Sequence, residues 1–119
     1  MCQRNYGLFQ VTLKFTGTGF RYTSGEPKYY RSSSFAKRGF CTECGSAIVF
    51  LYEGNPSLWV LAGSLDHPAD WPLRKDATWG RQSSHWYTES KVPWYEICDG
   101  LPQGGEPPAG RAARLSQET

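Results

Sequence analysis

A mainly β fold is expected from three features of the chain. Aromatic residues are dense at 15%, turn formers are abundant with 13 Gly and 8 Pro, and short apolar–polar alternations recur with no long helical period. With 119 residues, 39% hydrophobic and 20% charged, the chain suffices for one core rather than two. The expectation is therefore a single domain of small antiparallel sheets.

The elements follow in order. Phe9 to Phe15 alternates, with Phe9, Val11, Leu13 and Phe15 on one face and Gln10, Thr12 and Lys14 on the other, which predicts a strand. Thr16-Gly17-Thr18-Gly19 predicts a turn, Phe20–Thr23 a short strand, and Ser24-Gly25-Glu26-Pro27 a second turn. Lys28–Ser33 reads as a strand. Ser46–Tyr52 is β-branched and aromatic and reads as a buried strand; Glu53-Gly54-Asn55-Pro56 turns it into Leu58–Ala62, making a hairpin. Asp66–Trp71 has the composition of one helical turn with Asp66 as its cap. Residues 72–84 are irregular, His85–Thr88 is a short last strand, and Lys91–Leu101 is an extended strap. From Gln103 onward apolar periodicity is absent, so residues 1–102 are expected to form the domain and 103–119 a disordered tail.

Composition also limits function. No apolar run approaches the roughly 20 residues of a bilayer-spanning helix, so no membrane partner is expected. No apolar signal region follows Met1, which predicts a cytoplasmic, reducing setting in which Cys2, Cys41, Cys44 and Cys98 stay free of disulfides. The net charge of +2 is uneven. Residues 1–52 hold seven Lys/Arg and two acids, while residues 53–100 hold four and seven. The basic half suits an anionic small molecule or a solvated strand face. Its longest basic run is Lys37-Arg38, which speaks against nucleic acid.

Cys41-Thr42-Glu43-Cys44-Gly45 is the sharpest local motif. Two thiolates at this spacing can bind one metal ion from a tight turn, and a glycine after the second cysteine supplies the positive φ that such a turn needs. A zinc knuckle is favoured over a redox pair, because a strand rather than a helix follows, and over two unrelated cysteines. One knuckle is half of a four-ligand site. Cys2, Cys98, His67 and His85 are the other candidates, and no spacing links them to the knuckle. His67 and His85 read as ordinary loop and strand histidines, and Cys98 as a small buried residue.

Several segments occur in a telling order: Tyr30-Arg31-Ser32-Ser33, Arg38-Gly39-Phe40-Cys41-Thr42-Glu43-Cys44-Gly45-Ser46, Ala62-Gly63-Ser64-Leu65-Asp66, Pro93-Trp94 and Asp99-Gly100-Leu101-Pro102. Together they resemble the family of glutathione-dependent formaldehyde-activating enzymes, which includes centromere protein V. The resemblance spans roughly residues 2–102 and implies a tent-like β fold around two zinc sites. Cys41 and Cys44 match the C-x-x-C half of the structural site. Cys2 resembles the last cysteine of the C-x-C-x-x-C segment that forms the catalytic-type site. The other ligands of both sites have no counterpart in these residues. Met1 is accordingly expected to lie inside the natural reading frame rather than at its start, and full zinc occupancy and activity are not expected of these residues alone.

The resemblance further implies a carbon–sulfur lyase of the S-(hydroxymethyl)glutathione synthase type, joining a thiol such as glutathione to formaldehyde or another aldehyde. Arg4, Arg31 and Arg38 are the candidates for meeting the carboxylates of a glutathione-like thiol. The alternative is a zinc-supported, non-catalytic binding module with a chromatin or protein partner.

Overall fold

The structure is a computed structural model; it describes residues 2–70 and 84–118, with Cys2 and Gln3 described by backbone alone. The described chain is mainly β, as expected, and its strands form one five-stranded antiparallel sheet in the order β1-β5-β4-β3-β2. The strands are β1 (Thr12–Thr16), β2 (Lys28–Ser33), β3 (Ala36–Phe40), β4 (Ala47–Tyr52) and β5 (Ser57–Leu61), and the described residues also form two α-helices, α1 (Cys2–Tyr6) and α2 (Pro108–Gln117). The chain divides into two compact units. A sheet unit comprises Val11–Asp66 with Pro108–Thr119, and a loop unit comprises Met1–Gln10 with His67–Pro107.

In the sheet unit, β2 to β5 run as consecutive hairpins, and β1 joins at the β5 edge with Leu13 opposite Val60 and Phe15 opposite Leu58. The β4–β5 turn is locked by Asn55, whose Oδ1 accepts the Ser57 N–H at 2.9 Å, while the Asn55 N–H donates to the Tyr52 carbonyl at 3.2 Å. Irregular register at Arg31/Ser33 and at Gly39/Phe40 bends β2 and β3.

The register sorts side chains into two rows. Tyr29, Gly39, Val49, Val60 and Leu13 stand opposite one another across one face. Tyr30, Arg38, Phe50, Trp59 and Lys14 form the matching row on the other face. Gly39 is required by the first row: a Cβ there would lie 2.7 Å from Val49 Cγ1 and 3.1 Å from the Tyr29 ring. The second face carries a core cluster of Ala36, Phe50, Tyr52 and Ala113, with Phe35, Trp59 and Ala109 packed against it. The Phe50, Tyr52 and Trp59 rings meet edge to face, with centroids 4.8 to 6.3 Å apart.

Helix α2 corrects the expectation of a disordered tail, because Pro108–Gln117 is helical and buries Gly110 and Ala113. Proline is well suited to a first helical position, and two small residues three apart leave a flat strip that approaches β4 closely. The sequence signal was a proline followed by alanines, with no large apolar period to reveal it.

Other elements differ as well. The first strand is β1 at Thr12–Thr16, so Phe9 and Val11 precede it. Residues 20–23 are irregular, held by a Phe20–Tyr22 edge contact at 5.1 Å and a 2.9 Å bond between the Tyr22 and Tyr29 hydroxyls. Burial and that bond push the Tyr22 hydroxyl well above the usual phenol range.

In the loop unit, His85–Thr88 is not a strand. A single parallel bridge joins His85 to Gln103, and Tyr87 then turns left-handed at φ 56° into a 3₁₀ turn, Thr88–Ser90. The helical turn expected from Asp66 is a 3₁₀ turn at Pro68–Asp70, closed by the Asp70 N–H donating to the His67 carbonyl at 3.1 Å rather than capped by Asp66. The segment 71–83, including Trp79 and most of the stretch read as irregular, lies outside the described residues.

Candidate metal knuckle and substrate-binding residues

The segment between β3 and β4 is built as a knuckle. The Cys41 N–H donates to the Ser46 carbonyl at 2.9 Å, and the Gly45 N–H donates to the Cys41 carbonyl at 2.8 Å. Gly45 has φ +76°, the left-handed conformation predicted for it. The turn brings both cysteines to one side of the hairpin end, with Cys41 half-buried and residues 42–46 exposed.

Cys44 Sγ lies 3.1 Å from Ser46 Oγ. Hydrogen bonds to this sulfur hold the Cys44 thiol below the ordinary range, first from the Ser46 hydroxyl, then from the Ser46 backbone N–H and the Cys41 thiol. Hydroxyl and amide donors aimed at sulfur stabilise a thiolate, the form that binds metal. The two cysteines therefore fit zinc as a pair of ligands. Cys41, Cys44 and Cys98 are free thiols, and among the described residues no cluster of three or more His, Cys, Asp or Glu gathers into a full metal site.

The remaining predicted residues are placed differently. Cys2 opens α1, and its side chain lies outside the described atoms. Arg4, on the same short helix, is exposed. Arg31 on β2 pairs with Glu53 at 3.2 Å and also donates to the Ser34 carbonyl at 3.3 Å. Arg38 on β3 lies over the Phe50 ring at 4.9 Å. Arg31 and Arg38 lie opposite Lys37 and Tyr30, so they leave the sheet on opposite faces and cannot clamp one carboxylate together. Arg31 and Arg38 are each engaged with other groups of the sheet, and Arg4 is exposed. Cys98, expected to be buried, is exposed, because the strap from Lys91 to Leu101 is irregular rather than a packed strand.

Two groupings escaped the sequence reading. One is the transverse row in which Arg38 lies over Phe50 and Lys14 lies 5.4 Å from the centre of the Trp59 ring. It depends on strand register, which no local pattern discloses. The other is His85 with Asp99, whose Nε2 and Oδ2 are 2.7 Å apart. Fourteen positions separate them, and only the folded strap brings them together.

A small antiparallel β protein with a two-cysteine knuckle at a hairpin end is thus defined. The family model of the glutathione-dependent formaldehyde-activating enzymes matches residues 1–88, and the chain belongs to that family. No curated protein and no solved structure matches it. Membership identifies a formaldehyde-activating, glutathione-related enzyme at the level of the family. Among the described residues, no helix is long and apolar enough to cross a membrane.

Proposed function

We propose that this chain is a zinc-dependent carbon–sulfur lyase-type protein that makes and breaks the bond between a small thiol and an aldehyde, as in S-(hydroxymethyl)glutathione, with activity lowered where Cys2, Cys41 and Cys44 alone supply the zinc ligands. The observation that carries this reading is the family match over residues 1–88, a span that contains the Cys41–Cys44 knuckle. Cys41 and Cys44 would hold the structural zinc, and Cys2 would serve the catalytic-type site. Zinc, when bound, supplies Lewis acidity to an aldehyde oxygen and stabilises a thiolate.

The chain's own groups do the rest. The 3.1 Å contact between Cys44 Sγ and Ser46 Oγ favours the charged form of the Cys44 thiol. Arg4 is exposed and open to a substrate carboxylate. Arg31 can serve a carboxylate only by leaving Glu53, at little cost, since the two side chains are 54% and 41% exposed.

The test is release of formaldehyde from S-(hydroxymethyl)glutathione, followed with a formaldehyde-trapping dye. Zinc-loaded protein is expected to release it faster than buffer and faster than the metal-stripped protein. A Cys41→Ser/Cys44→Ser variant is expected to retain less zinc. Equal rates with and without protein contradict the reading.

A further inference from the structure

The loop unit holds a histidine fixed by a carboxylate. His85 Nε2 and Asp99 Oδ2 are 2.7 Å apart, and the two side chains are 19% and 32% exposed. The other oxygen of Asp99 accepts the Leu101 N–H at 2.9 Å, so the carboxylate is held at both ends. With a carboxylate at Nε2, the neutral ring carries its proton there and leaves the Nδ1 lone pair open. Phe9 meets the imidazole edge-on at 6.3 Å and packs on Tyr95 at 5.7 Å. This apolar wall strengthens the His85–Asp99 bond by lowering the local dielectric.

Backbone bonds join this segment to the end of the strap alongside the pair. The His85 N–H donates to Pro102 O at 2.8 Å, and the Gly104 N–H donates to His85 O at 2.9 Å. The Tyr87 N–H donates to Gly105 O at 2.7 Å, and Thr88 Oγ1 donates to Gly104 O at 3.1 Å. These bonds already join residues 85–88 to 102–105. Two residues from His85, Tyr87 is held at φ 56°, the one positive φ outside glycine among the described residues. Such held outliers gather at functional sites.

We propose that His85 is a catalytic proton carrier for the addition of a small thiol to formaldehyde, with Asp99 as its positioning residue. The role rests on the thiol–aldehyde chemistry proposed above. His85 Nδ1 takes the proton from the thiol as sulfur bonds to the carbonyl carbon. The carbonyl π pair moves to oxygen, and the imidazolium returns the proton to that oxygen. The product is the S-hydroxymethyl thioether, and no oxidant or reductant is required. Asp99 stabilises the imidazolium and, by holding Nε2–H, makes Nδ1 the basic nitrogen.

The experiment compares wild type, His85→Gln, His85→Ala, Asp99→Asn and Asp99→Glu in the exchange of formaldehyde with glutathione, with thermal melting as the folding control. His85→Gln is expected to lower kcat by about a hundredfold and Asp99→Asn by about tenfold, with KM much less affected. Added imidazole is expected to restore part of the His85→Ala rate, and Asp99→Glu part of the Asp99→Asn rate. Neither rescue follows from a merely structural role. An active wild type whose rate survives in a folded His85→Gln, or a His85→Ala that imidazole leaves unchanged, overturns the assignment alone. A wild type with no rate above buffer overturns the proposed function and the assignment with it.

Discussion

Ala36, Val49, Phe50, Tyr52, Leu58, Leu61 and Ala113 are the buried apolar residues of the sheet unit, whereas among the described residues of the loop unit only Leu101 is buried to the same degree. The sheet unit is held by ladder hydrogen bonds and interlocked aromatic rings. The described part of the loop unit is held by bonds between short irregular segments, the Asp99 carboxylate and the Phe9 ring. The comparison teaches that the sheet unit carries the stability and the loop unit carries positioned polar groups. The knuckle sits on the stable side, at the end of a ladder, where two thiols can be held without a helix. The histidine pair sits where the backbone is irregular enough to aim a side chain.

Substitutions can break or sharpen this contrast. The largest effect is expected from Phe50→Ala, which empties the centre of the ring cluster and should cost about 3–5 kcal/mol in urea unfolding. If that loss were below 1 kcal/mol, on the order of a surface change, the sheet would not be the stabilising unit. Ala113→Glu places an unpaired charge beneath α2 and should cost about 3 kcal/mol, showing that the C-terminal helix belongs to the core. Gly39→Ala drives a methyl group into Val49 and Tyr29 and should cost about 1–3 kcal/mol, read as a lower melting temperature. Arg31→Ala removes an exposed ion pair and should change stability by only about 0–1 kcal/mol. Smallest of all, Trp94→Ala in the loop unit should fall within about 0.5 kcal/mol, since the ring is 73% exposed.

Legibility in the sequence follows the same division. Strands β2, β4 and β5 and the turn between the last two were readable, because alternation and turn formers act locally. The knuckle was readable because the C-x-x-C-G spacing dictates its own turn. The first strand was misplaced by three residues, since alternation continues through Phe9 and Val11 although pairing with β5 begins only at Thr12. Helix α2 was missed because its buried strip is made of Gly110 and Ala113, which carry almost no hydrophobic signal. Strand register, which pairs Arg38 with Phe50 and separates it from Arg31, is a long-range property. So is the meeting of His85 with Asp99. Arg31 and Arg38 were both candidates for meeting substrate carboxylates, and the pleat sends them to opposite faces.

The most direct test of the central claim is the exchange rate between free formaldehyde and S-(hydroxymethyl)glutathione, measured by ¹³C magnetisation transfer with labelled formaldehyde. The rate is expected to rise in proportion to protein concentration with glutathione, and to show no protein-dependent exchange when S-methylglutathione replaces it. An exchange rate that stays at the buffer value across the protein titration would contradict the assignment of thiol–aldehyde chemistry to this chain.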